Sequence, residues 1–397
     1  VNTCTVTASA DEDARQAIRR AHRDNPHARI LVTGCYAQRA PQELAALPGV
    51  TWVVGNSHKS QIAHLVQLPA DPAPSTAVPF HGQIHVGDIH AQTDFLTAPV
   101  EDSLHDRTRP NLKIQDGCNN HCSFCIIPAV RGRSRSAPAD WVVAQVRTVA
   151  QRYREIVLSG INLGRWGRDL PGRPRLASLL RRLLEETPIE RLRLSSVEPL
   201  DWTDELLDLL ASEPRLARHV HAPLQSGSDL ILRRMYRRYR ARHYADRLWK
   251  AWRRLPEAAF GADVLVGFPG ETDADFDQTR RLIADLPLTY LHVFPYSPRP
   301  GTVAAGLPDQ VSPPVRRERR RLLFELAAVK GRAFRQSLLG RTLSVVTLHE
   351  PHPAGTVGLS DNYVKVLLAG DPLPANRLVE VRATGVAGEF VTAVPEE

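Results

Sequence analysis

Three cysteines stand within eight residues, as Cys118-x-x-x-Cys122-x-x-Cys125 in the run CNNHCSFC. Thiolates this close on one loop suit a soft metal centre. A structural zinc site wants four close ligands, and His121 is the candidate for the fourth. A [4Fe–4S] cube held by three thiolates keeps one iron open to an outside ligand. The amino and carboxylate groups of S-adenosylmethionine can chelate such an iron, and an electron from the cluster can then break the sulfonium bond. The chain holds five cysteines in all, with Cys4 and Cys35 standing alone. An odd, sparse set in 397 residues is a poor disulfide framework and points to a reduced, intracellular protein.

The apolar pattern shows which elements must position these residues. Residues 1–66 read as a strand end (1–7), a helix (8–25), a buried strand (ARILVTGC), a helix from Pro41 and a short strand (TWVVGN). Alternation of this kind makes an α/β layer with a parallel sheet, whose strand C-terminal ends hold ligands. Cys4 and Cys35 both sit at strand ends and are expected to meet there. Residues 67–108 are rich in Pro, Ala and His and read as a linker with a short hairpin at 83–86. Residues 109–335 repeat one unit six times, a strand, a turn and an amphipathic helix. The strands are LKIQDG, EIVLSG, RLRLSS, HVHAPLQ, DVLVGF and LHVFPYS. The fold class is α/β, a partial parallel (β/α)6 barrel with its chemistry on the loops after the strands. The cysteine cluster follows the first of them. Residues 336–397 change to four short strands, RTLSVVTL, NYVKVLL, RLVEVRATG and EFVTAV, a small all-β barrel of the oligonucleotide-binding type.

Composition narrows the function classes. With 43% hydrophobic and 24% charged residues the chain is neither disordered nor fibrous. It has no apolar run approaching the ~18 residues of a membrane span, so no membrane partner is expected. The net charge of +8 fits a polyanionic partner. Arginine-rich helical stretches at 230–244 and 315–335, with Arg131, Arg133 and Arg135 beside the cysteine loop, are candidates for a phosphate-contacting rim; solvated helix faces are the plainer reading.

An ordered series of motifs carries a resemblance over nearly the whole chain. DGCNNHCSFCIIPAVRGRSRS (116–136), LSGINLG (158–164), SSVEP (195–199), PLQSGSD (223–229), MYRRY (235–239), DVLVGFPGET (263–272) and FPYSPRPGT (294–302) resemble the radical S-adenosylmethionine methylthiotransferases in their order. NTCTVT and the segment around CIIP look most like the branch acting on threonylcarbamoyladenosine in tRNA. The resemblance implies two [4Fe–4S] clusters, one on Cys118, Cys122 and Cys125 and an auxiliary one on Cys4 and Cys35. Because the chain opens on Val1 in mid-pattern, the third auxiliary ligand is expected upstream, which makes the N-terminal domain incomplete. Phe124, Ser159, Gly160, Glu198, Gln225, Val266 and Gly267 are implied contacts for S-adenosylmethionine, and the terminal barrel resembles an RNA-binding TRAM domain. The implied activity is 2-methylthiolation of an adenosine beside the anticodon in a cytoplasmic enzyme served by tRNA, an electron donor and a sulfur source. Methylthiolation of a ribosomal protein or of isopentenyladenosine, and a non-catalytic iron–sulfur RNA-binding protein, are the alternatives.

Overall fold

The computed structural model describes residues 1–67, 82–97 and 108–396. The chain divides into two compact units. One gathers Val1–Leu96, Gly117–Arg135 and Ser297–Leu307; the other gathers Thr97–Asp116, Ser136–Tyr296 and Pro308–Glu397.

The first unit is built on a parallel sheet whose strands Asn2–Thr3, Ile30–Gly34, Val50–Gly55 and Gln83–His85 lie in chain order. Thr7 starts the helix Ala8–Asp24 by accepting a hydrogen bond from the Ala10 N–H at 3.1 Å, as an N-cap should. Four residues apart on one face, Ala14 and Ile18 are buried against Ile30, Val32, Val50 and Val53. The helix expected from Pro41 is there as Pro41–Ala45, and a second short helix, Cys35–Arg39, precedes it. The expected hairpin is not: Gln83–His85 is a fourth parallel strand beside Val50–Gly55. Asp88 explains the difference. Its carboxylate accepts from the His90 N–H at 2.8 Å and turns the chain into the 3-10 segment Ile89–Ala91, and among the described residues no return strand follows. The remainder of the expected linker, 68–81 and 98–107, lies outside the described residues.

The second unit contains all six expected parallel strands. Asn111–Asp116, Glu155–Gly160 and Arg191–Leu194 pair consecutively, as do His219–His221, Ala259–Val266 and Tyr290–Pro295. A bridge from Leu192 to Leu216 links the two sets. The fourth strand is only three residues long, and Pro223 beyond it has no N–H for a ladder. The helices between strands bury one face each. In Leu176–Glu186 that face is Leu176, Ala177, Leu179, Leu180, Leu183 and Leu184, each leucine contributing about 1.5–3 kcal/mol.

Five strands close the C-terminal barrel, in the order Thr342–Thr347, Thr356–Ser360, Lys365–Leu368, Phe390–Pro395, Leu378–Ala387. The sequence pattern shows four of them. Gly358 interrupts the pattern of the fifth (TVGLS), because a β-carbon there would lie 2.2 Å from Val345 Cγ1.

A buried ionic knot ties this barrel to the six-strand layer. Glu155, with no exposure, accepts from Arg193 Nε at 2.7 Å, from Arg109 at 3.2 Å and from Arg191 at 3.4 Å. Arg193 also donates to the carbonyls of Asp361 at 2.9 Å and Ser360 at 3.0 Å. Burial alone would raise the Glu155 carboxyl, but Arg193, Arg109 and Arg191 hold it below its ordinary value. A depressed carboxylate pKa stabilises the fold above the unfolded value of 4.5, and that contribution is lost as pH falls through the folded value. We expect Glu155→Gln, which strands three guanidinium groups, to cost about 3–5 kcal/mol in urea unfolding. It should also flatten the part of the wild-type acid-unfolding profile below pH 4.5. Equal stability of the two proteins would exclude the knot as a structural element.

Candidate metal centre

None of the five cysteines is joined in a disulfide. The three-cysteine loop belongs to the first unit. It closes on itself at Gly117, where φ is +70° and a β-carbon would lie 2.0 Å from the Arg133 carbonyl oxygen. Only glycine tolerates both constraints. The Cys118 N–H then donates to Gly132 O at 3.1 Å, and the Cys125 N–H to Cys122 O at 3.0 Å. The Asn120 N–H points at Cys118 Sγ from 3.4 Å, and such donors favour a thiolate.

Cys4 and Cys35 follow paired residues at neighbouring strand ends, where the sequence places them. Thr3 pairs with Gly34, so the next residue of each strand emerges beside the other. Gly34 makes this approach possible, since with φ at +106° a β-carbon would sit 2.3 Å from the Thr3 carbonyl oxygen. Cys4 is exposed, while Cys35 is buried against Ile126 and Val130 of the three-cysteine loop. Arg131 donates from Nε to Cys35 Sγ at 3.0 Å. Asn56 donates to Val130 O at 2.8 Å and lies 3.6 Å from the same sulfur. The Val6 N–H approaches Cys4 Sγ at 3.5 Å. Soft sulfur donors in two sets, each approached by N–H groups, fit iron–sulfur ligation.

The surroundings correct one expectation. Arg131 serves a cysteine, and buried Arg135 donates to the carbonyls of Gln92 at 3.2 Å and Arg131 at 2.8 Å. Of the three arginines offered to a phosphate rim, Arg133 alone is exposed. The longer basic stretches divide in the same way. Arg237 pairs with Glu198, Arg319 is buried against Glu271 at 2.6 Å, and Arg317 and Arg320 are exposed.

Asp11 sets the positions of the two isolated cysteines, and nothing local in the sequence announces it. It is 4% exposed and accepts from Thr5 Oγ1 at 2.6 Å, from Arg39 at 3.0 Å and from Arg299. Thr5 follows Cys4, and Arg39 ends the helix that Cys35 begins. Arg299 arrives from 288 residues away.

Of the residues implied for S-adenosylmethionine, half-buried Phe124 is in the first unit and the other six are in the second. Ser159 and Gly160 end the Glu155–Gly160 strand, and a β-carbon on Gly160 would meet Gln115 Cβ at 2.8 Å. Gln225 holds a left-handed backbone, φ +66°, while its N–H donates to Asp263 O at 2.8 Å. Glu198 is engaged by Arg237. Val266 O accepts from the Tyr296 N–H at 2.9 Å, and the Gly267 N–H donates to Glu271 at 2.6 Å. The Gly267 N–H is thus engaged within the chain, while the Val266 oxygen keeps a second lone pair.

Comparison with known proteins agrees with this architecture. Residues 112–283 match the radical SAM superfamily, and residues 1–55 match the uncharacterized protein family UPF0004. The chain is 38% identical to the threonylcarbamoyladenosine tRNA methylthiotransferase MtaB of Bacillus subtilis, covering all of this chain and 88% of that protein. It belongs to the radical SAM tRNA methylthiotransferase family. The MtaB protein of Rickettsia prowazekii is 41% identical over 81% of this chain and 74% of its own. A tRNA-2-methylthio-N(6)-dimethylallyladenosine synthase of Syntrophobacter fumaroxidans is 36% identical over 78% and 68%. Among solved structures, the radical S-adenosylmethionine methyltransferase TsrM of Kitasatospora setae shares the fold, with a TM-score of 0.57 and 18% identity over 77% of this chain and 64% of that one. Membership brings S-adenosylmethionine and [4Fe–4S] chemistry to this methylthiotransferase. Among the described residues no helix is long and apolar enough to cross a membrane.

Because Asp11 holds both cysteine-bearing turns, Asp11→Ala should strand Arg39 and Arg299 and cost about 3–5 kcal/mol locally. After anaerobic reconstitution the variant should retain less iron than wild type while keeping its circular dichroism spectrum. Full iron retention would show that the cysteines hold their places without it.

Proposed function

We propose that the enzyme converts N6-threonylcarbamoyladenosine beside the tRNA anticodon to its 2-methylthio form. The observation that carries this reading is the paired arrangement of thiols, three on one loop and two at adjoining strand ends, in a chain matched along its whole length by an MtaB protein. Adenine C2 carries no acidic hydrogen, so a general base does not open it at neutral pH. A [4Fe–4S] cluster on Cys118, Cys122 and Cys125, when bound, supplies the electron that cleaves S-adenosylmethionine and so initiates radical removal of that hydrogen. Cys4 and Cys35 are assigned to the auxiliary cluster. The chain's own part is to hold these thiolates. The Asn120 N–H faces Cys118, the Arg131 and Asn56 side chains face Cys35, and the Asp11 network fixes the turns. Exposed Arg133, Arg317 and Arg320 are positive groups available to phosphates, and the closed C-terminal barrel supports an RNA partner. The electron donor and sulfur source act in the cytoplasm in this reading.

Reconstituted enzyme should cleave S-adenosylmethionine to 5′-deoxyadenosine under reduction, and Cys122→Ala should abolish cleavage. Mass spectrometry of digested tRNA should show the methylthio group on threonylcarbamoyladenosine and none on isopentenyladenosine. Product on isopentenyladenosine alone would keep the enzyme class and overturn the substrate. Undiminished cleavage by Cys122→Ala would overturn the cluster assignment.

A further inference from the structure

The strands His219–His221, Ala259–Val266 and Tyr290–Pro295 run parallel, with His221 beside Gly261 and Asp263 beside His292. Side chains alternate along a strand, so His221, Asp263 and His292 share one face. Asp263 Oδ1 lies 3.1 Å from His221 Nε2 and 3.2 Å from His292 Nδ1, and the three atoms fall within 4.8 Å of one another. His221 is 7% exposed, and its Nε2 has the Asp263 carboxylate beside it at 3.1 Å in an orientation poorly aligned for a hydrogen bond. The Asp263 oxygen stands between two imidazole nitrogens, sharing a hydrogen bond with His292 Nδ1, and all three atoms are within reach of one ion. Ligand atoms bound to one ion at about 2.1 Å lie roughly 3 Å apart, which is the spacing of the two measured edges.

We propose that His221, Asp263 and His292 bind one divalent transition-metal ion, with its remaining coordination positions open to water or an oxygen ligand. Two imidazoles and one carboxylate are the donor set of such facial sites. The second layer fits as well. His221 Nδ1 shares a hydrogen bond with Tyr290 Oη at 2.8 Å, and the same hydroxyl bonds His219 Nε2 at 2.7 Å. That bond orients the ring so that Nε2 faces the carboxylate, which is how metal-binding histidines are commonly fixed. Gly261 is the space this requires, since a β-carbon there would lie 2.0 Å from the Tyr290 ring. Below the group, His219 stacks on Tyr363 of the C-terminal barrel with ring centroids 4.4 Å apart. The site contains no cysteine and does not depend on the identity of the modified nucleoside.

The test uses reconstituted, cluster-loaded enzyme freed of loose metal on chelating resin. Mn2+ is followed by loss of the aquo-ion EPR signal, and Co2+ by equilibrium dialysis with elemental analysis. Wild type should bind one equivalent of either ion. Asp263→Asn and His292→Ala should bind at least tenfold more weakly, Tyr290→Phe about 10–100-fold more weakly, and the exposed-site control His27→Ala like wild type. His292 is about half exposed, so its truncation should leave the melting temperature unchanged and the loss attributable to the ligand. Binding of neither ion by wild type up to millimolar concentration overturns the site, as does unchanged binding by Asp263→Asn and His292→Ala.

Discussion

Glu155 meets Arg193, Arg109 and Arg191 where no water reaches its carboxylate, and this meeting constrains every element around it. A buried charge is tolerable only when its partners stand at hydrogen-bond distance. Two neighbouring strands and the 360–361 turn of the terminal barrel are therefore fixed together, since Arg193 must also reach two carbonyls of that turn. The first unit repeats the solution with Asp11 between Arg39 and Arg299. At the Gly267 turn Glu271 meets Arg319, but burial outweighs its partners and raises its carboxyl to about 7. In each case a carboxylate holds neighbouring backbone segments in place, and the hydrophobic layers beneath supply the bulk of the stability.

What the sequence made legible follows from the range of the forces involved. The six strands, the helices between them and the cysteine loop are local patterns, and each appears where its period or spacing puts it. The placement of Cys4 and Cys35 at neighbouring strand ends was also legible, because parallel α/β sheets collect ligands at one end. The failures are non-local or involve residues with two uses. Gly358 hid a barrel strand because it serves close packing against Val345, and Asp88 replaced a hairpin by a local turn. Arginine misled most. Arg131 and Arg135 read as phosphate contacts, yet they bond to a thiol and to carbonyls in the fold. Glu155, Asp11 and the His221–Asp263–His292 group have no signature at all in one dimension. Their partners are brought together by strand register or by contacts tens to hundreds of residues away.

The same arginines bear on the meaning of the basic composition. A net charge of +8 is shared between an exposed set able to meet RNA and a buried set matched inside. Substitutions in the two sets should differ in kind, the former changing salt-dependent association and the latter the folded state.

The strand order of the terminal barrel has a further consequence, for the way the chain is made. Phe390–Pro395 lies between Lys365–Leu368 and Leu378–Ala387, so the ring cannot close until that last strand has left the ribosome. The carbonyls that receive Arg193 are made some 170 residues after it, in a turn held by Thr342–Thr347, where Asp361 N–H donates to Ser344 O at 2.9 Å. During that interval Arg193 lacks its two carbonyl acceptors, while its pairing with Glu155 lies wholly within the six-strand layer. Domains commonly fold from the N-terminus as they emerge. Here the six-strand layer gains the acceptors for its buried Arg193 only when the barrel's 360–361 turn has been made.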